Sequence, residues 1–183
     1  MNGRFSQWML IACLLTVAGC ASENQLRARR YTSLIQACER SDQHRAIELL
    51  REGVEPNGAD IVSAGPMTRI EYLAHLRDAP IVCAARNGDV ELVHILLEYG
   101  ANPNWCCCSC VTALHRAIIK EHIDVVRLLL ANGADAGIDY DGKISTRQLA
   151  RQVGNKAVVE IIEQHDRAGK LKGDGENETN REH

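Results

Sequence analysis

Apolar residues through the middle of this chain fall at helical spacing, and the helices they predict come in short pairs. Between Ala79 and Asn104, Ile81, Ala84 and Ala85 share one helix face, with Pro80 in the first turn where its missing N–H is not needed. Gly88 ends that helix by accepting a left-handed backbone. A second helix is predicted from about Asp89 to Tyr99, because Leu92, Val93, Leu96 and Leu97 recur as one broad apolar stripe, closed by Gly100. The pattern returns through Leu114, Ala117 and Ile118, then Val125, Val126, Leu129 and Leu130. Gly100-Ala101-Asn102 and Gly133-Ala134-Asp135 lie 33 residues apart, as do Ala79, Thr112 and Ser145. A helix pair this short cannot bury its stripe alone. Neighbouring pairs must stack into a solenoid held by nearest-neighbour contacts.

Two weaker units flank this centre. Residues 32–57 fit through Leu34, Ala37, Cys38, Ala46, Leu49, Leu50 and Gly53. Residues 145–165 fit through Leu149, Ala150, Gly154, Val158, Val159, Ile161 and Ile162. End units are expected to be atypical, since one side of each faces water. Gly53 and Gly100 are 47 residues apart instead of 33, which places an insertion at 58–78. Within it, Thr68-Arg69-Ile70-Glu71 reads as a capping box ahead of Tyr72, Leu73 and Leu76, predicting a short extra helix.

The period of 33, the glycine-closed turns and Thr112-Ala113-Leu114-His115 resemble the ankyrin repeat. The resemblance implies an all-α solenoid of about four helix-turn-helix repeats, at about 32–57, 79–104, 112–137 and 145–165, with hairpin fingers between them. It implies a protein-binding role without catalysis, and a His115 that ties its turn together through hydrogen bonds. It also implies a concave side formed by fingers and first helices. Tyr72, Trp105 and Tyr140 would supply that side with aromatic anchors, and Arg86, Arg116 and Lys120 would make it locally basic.

The first twenty residues suggest an address. Met9 to Val17 is an apolar run behind Arg4, too short to span a bilayer and suited to a secretory signal. It ends in Val17-Ala18-Gly19-Cys20, which resembles a bacterial lipobox. That resemblance implies removal of residues 1–19 and acylation of Cys20. Ala21 and Ser22, in place of an acidic residue, imply sorting to the periplasmic side of the outer membrane. Residues 20–31, with Arg27, Arg29 and Arg30, read as a tether, and 166–183 as a disordered tail. A lipobox joined to about four repeats is similar to bacterial ankyrin-repeat lipoproteins that serve as immunity proteins against phospholipase effectors of type VI secretion. The implied partner is such an effector. The other reading is an envelope scaffold or stress-response adaptor.

Composition narrows the field. With 24 acidic against 21 basic residues the chain has no electrostatic footprint for nucleic acid. No Gly-x-Ser-x-Gly, phosphate-binding loop or His-Glu-x-x-His occurs, so neither an enzyme nor a cofactor is expected. His44, His75, His94, His122 and His165 show no ligand spacing. Trp105 precedes Cys106-Cys107-Cys108-Ser109-Cys110 on a finger, and three chemistries compete there. Redox catalysis would set the Cys107/Cys110 pair after a strand in a βαβ unit, which the chain lacks. Structural zinc takes four ligands, usually as two separated pairs, so no metal is expected. An oxidising compartment permits disulfides among Cys106, Cys107, Cys108 and Cys110, or inert thiols that shape the finger. Cys38 is expected to point inward and Cys83 toward the groove.

Overall fold

The computed structural model describes residues 26–57, 78–105, 111–140, 142–165 and 167. Among them are eight helices: α1 (26–39), α2 (Gln43–Arg51), α3 (Pro80–Asn87), α4 (Val90–Glu98), α5 (Ala113–Ile119), α6 (Ile123–Ala131), α7 (Thr146–Val153) and α8 (156–165). No strand occurs among these residues; a single antiparallel bridge joins Tyr140 to Ile144. The expected signal segment 1–19, Cys20, the expected helix at Tyr72, residues 106–110 with their four cysteines, and the expected tail 166–183 apart from Arg167, which is helical, lie outside the described residues.

Local chemistry fixes where the helices begin. Asp42 and Asp89 accept hydrogen bonds from the Arg45 and Leu92 amides, each satisfying an orphan donor of the first turn. Thr112 with His115, and Ser145 with Gln148, form reciprocal capping boxes. Pro80 opens α3, and Gly88 and Gly154 end α3 and α7 in the left-handed region.

First helices pack in one row, α3 on α5 and α5 on α7, while α4 packs on α6 behind them. One apolar core runs through all four helix pairs, with Leu34, Leu49, Leu92, Leu96, Leu114, Ile118, Leu129 and Ile162 fully buried. Leu97 and Val159, expected in the buried stripe, are only half-buried: each lies at the edge of its helix's inner face.

The tether reading of 20–31 needs correction. Residues 26–31 belong to α1, with Ala28 and Tyr31 buried. Ala28, Tyr31, Leu34 and Ile35 recur on one helix face, and Arg29 and Arg30 fall on the opposite, exposed face.

Polar side chains lock each pair to the next. The Asn57 amide donates to the Gly100 carbonyl at 2.9 Å and accepts from the Asn102 amide at 2.7 Å. Asn104 repeats the clasp one unit on, with the Gly133 carbonyl at 3.0 Å and the Asp135 amide at 2.7 Å. On the opposite edge, Asn87 donates to the Cys38 and Glu39 carbonyls, and Asn155 to the Glu121 carboxylate.

Candidate protein-binding face

Arg86 and Arg116 stand in the last turns of α3 and α5, which are neighbours in the row of first helices. Asp78 lies just before Pro80, where the chain enters α3. Its carboxylate is shared. Arg86 Nη1 donates to Oδ2 at 2.8 Å, and Arg116 Nη2 donates to Oδ1 at 3.4 Å. Among the described residues, two guanidiniums against one carboxylate leave a positive charge in excess. The Asp78 side chain is 15% exposed and the arginine side chains 33% and 32%, so the cations are the more open partners. Arg116 is incompletely satisfied among the described residues: its Nε is buried and meets no acceptor there. Lys120, one turn beyond Arg116, is exposed and caps α5.

Cys83 lies beneath this cluster, and its position corrects the sequence expectation. It is fully buried instead of facing an open groove, and its thiol makes a 3.6 Å contact to the Asp78 carbonyl oxygen. Cys83 and Arg116 occupy equivalent places, 33 residues apart, and the longer side chain extends to the Asp78 carboxylate above the shorter. Burial pushes the Cys83 thiol up to about 12, with the Arg86 charge pulling the other way. Burial also pushes the Cys38 thiol far above its ordinary range, and the neighbouring Cys83 adds to the shift. Cys38 is buried as expected.

The aromatic candidates serve the core as much as the surface. Trp105 and Tyr140 are half-buried and pack against the core. Tyr140 meets the His115 ring edge-on, centroids 5.6 Å apart. His115 is fully buried and does what the family resemblance implied. Its Nδ1 accepts from the Thr112 amide at 3.1 Å, and its Nε2–H is shared between the Ile138 carbonyl and the Thr146 hydroxyl, each at 3.0 Å. Burial lowers its pKa, against a smaller opposing pull from the Ile138 carbonyl.

Of the sequence-predicted site residues, the structure therefore brings Arg86 and Arg116 together and sets Tyr140 against His115 instead. Tyr72 lies outside the described residues, as do Cys106, Cys107, Cys108 and Cys110. Asp78 was missed because it stands at the end of the insertion. The available sign was an acid directly preceding a repeat start, with Arg86 on that first helix and Arg116 on the next.

Helix pairs stacked at a fixed period define a repeat solenoid, a class that holds other proteins along an extended surface. This chain belongs to the ankyrin-repeat family: the profile described as Ankyrin repeats (3 copies) matches residues 34–140. The fourth helix pair, α7 and α8, continues the stack beyond that match. The chain is similar to ankyrin repeat protein FPV014 of fowlpox virus, 49% identical over 53 residues, which is 29% of this chain and 12% of the relative. It is similar to the B-cell lymphoma 3 protein homolog of Mus musculus, 29% identical over 156 residues, or 82% of this chain and 31% of that protein. A third relative is potassium channel AKT1 of Oryza sativa subsp. indica, 33% identical over 72 residues, 39% of this chain and 8% of the channel. The chain spans less than a third of the length of each of these relatives. Proteins so different in name share the repeat, so the likeness carries a protein-binding role and leaves the partner open. Ankyrin arrays are typically non-catalytic. No helix among the described residues is long and apolar enough to cross a membrane.

Proposed function

We propose that this chain is a lipid-anchored periplasmic binding module that neutralises a secreted phospholipase toxin by covering its substrate entrance. One observation carries the reading: a lipobox-like Val17-Ala18-Gly19-Cys20 stands ahead of a repeat array built to hold protein. Acylation of Cys20 would supply several chains, more than the two signals stable anchoring takes. It would station the binder beside the membrane that such an enzyme attacks. The chain itself would perform no chemistry, since a rigid solenoid can occlude a cleft. Trp105 and the insertion at 58–78 depart from the plain repeat and would supply selectivity at its fingers.

The test is deletion of the gene in cells exposed to attack by siblings. Survival should fall without the gene, return with the wild-type copy, and fail to return with Cys20→Ser, which should also lose the acyl mass on its N-terminal peptide. Unchanged survival, with no lipase-like protein co-purifying, sinks the immunity role and leaves the scaffold or adaptor role as the better account.

A further inference from the structure

We infer that Arg86 and Arg116 form the receptor for a carboxylate side chain, Asp or Glu, presented by the protein partner. The inference rests on the protein-binding reading and names the chemistry by which that face recognises its target. Each guanidinium offers five N–H donors in a planar fork suited to a carboxylate. Asp78 uses one from each, and its bond to Arg116 is long at 3.4 Å. The long bond leaves the Arg116 guanidinium, one third exposed, the less satisfied of the pair. A second carboxylate would complete what Asp78 begins.

Charge decides between anions. Among the described residues Arg86 and Arg116 hold one positive charge in excess over Asp78, which a monoanion balances. A phosphate dianion would overshoot, and would sit against Asp78 with like-charge repulsion. Direction follows from the neighbours. Glu39 on α1, exposed, and Asp78 are the acids that act on the buried Cys83 beneath the cluster; Arg86 and Arg116 are the bases. Lys120 shares a face with Arg116 at i+4. Lys120 adds to the positive excess beside Arg116, and the partner's carboxylate docks on the α5 side.

The experiment pans a random peptide phage library against the folded full chain, then measures selected peptides by fluorescence polarisation. Selected peptides should be enriched in Asp or Glu at a fixed position. Changing that residue to its amide should weaken binding by about tenfold or more, as should Arg116→Gln and, because a fork is required, Arg116→Lys. Asp78→Asn should tighten binding, since it frees both guanidiniums; a purely architectural triad gives no such gain. If Asp78→Asn fails to fold, judged by circular dichroism, Arg86→Gln replaces it and should weaken binding. Peptides without acidic enrichment, no selected peptide at all, or equal affinity for wild type and Arg116→Gln overturn the inference. So does inorganic phosphate competing as well as the acidic peptide, which would mark a general anion site. Survival of siblings under attack reads the immunity role separately: protection retained by Arg116→Gln sinks the carboxylate receptor and leaves that role standing.

Discussion

The His122 ring occupies the space beside Gly88 where a Cβ would stand, its atoms 2.6–2.8 Å from that position, and its Nε2–H donates to the Arg86 carbonyl at 3.1 Å. Backbone conformation alone does not demand glycine here. Ser41 and Glu121 hold the equivalent places in their units at φ 55° and 59°, against 76° for Gly88. The histidine of the next unit makes the difference, so Gly88 serves a close approach between repeats.

Gly88→Ala should therefore destabilise by more than the roughly 1–2 kcal/mol of a left-handed alanine. His122→Ala, combined with it, should recover the steric part while losing the bond to Arg86. A double-mutant cycle by chemical denaturation reads the coupling. Strictly additive losses would contradict the contact.

Leu129 is fully buried between stacked helices and Arg127 is exposed on the same helix. Leu129→Ala should cost about 2–5 kcal/mol through lost burial and a residual cavity. Arg127→Ala should stay within about 0.5 kcal/mol. Similar losses from the two changes would mean that the inner face of α6 is wrongly assigned.

His115 gives stability a pH dependence of definite sign. Burial lowers its pKa in the folded state, so its contribution is complete above the unfolded value of about 6.5. Below that, the unfolded chain takes up the proton first, and the contribution is lost as pH falls through the depressed folded value. Melting temperature should drop between about pH 7.5 and about pH 5. The drop should shrink in His115→Asn, which starts from a lower melting temperature. An equal acid slope in both proteins would clear His115 of the effect.

The thiols of Cys38 and Cys83 should resist iodoacetamide in the native protein and react once it unfolds. Both are fully buried, and burial raises both pKa values, Cys83 to about 12. The thiolate is the reactive form, so little of it is present at neutral pH. The raised values also mean that this share of stability holds below the unfolded thiol range of about 8.5 and fades as pH rises beyond it. Mass spectrometry of labelled native protein decides the matter, and rapid modification of either cysteine would show an opening the fold does not predict.

The fold was legible because its information is periodic. Leu92, Val93 and Leu96 repeat as Val125, Val126 and Leu129, and the structure buries all six. The start of α1 was obscured because Arg27, Arg29 and Arg30 dominate the composition there and hide the Ala28, Tyr31, Leu34, Ile35 spacing. The site was half legible. Arg86 and Arg116 could be placed on adjacent first helices, but their shared carboxylate depends on how far one unit is offset from the next, which a period does not specify. The same limit hid the clasps at Asn57 and Asn104, although the dipeptides Pro56-Asn57 and Pro103-Asn104 stand at matching places in their units. His115 was the exception, since its partners Thr112 and Ile138 belong to the motif and the adjoining turn.

The Asn57 clasp has a consequence for how the molecule can change. Asn57 grips Gly100 and Asn102 as Asn104 grips Gly133 and Asp135, although residues 58–78 separate the first asparagine from the next helix cap and only 105–111 separate the second. The junction closes without reference to the length between its ends. Lengthening that stretch then enters stability mainly as loop entropy, about 0.6 kcal/mol for each doubling. A change in the length of chain between Asn57 and Ala79 should therefore leave the register of the stack intact.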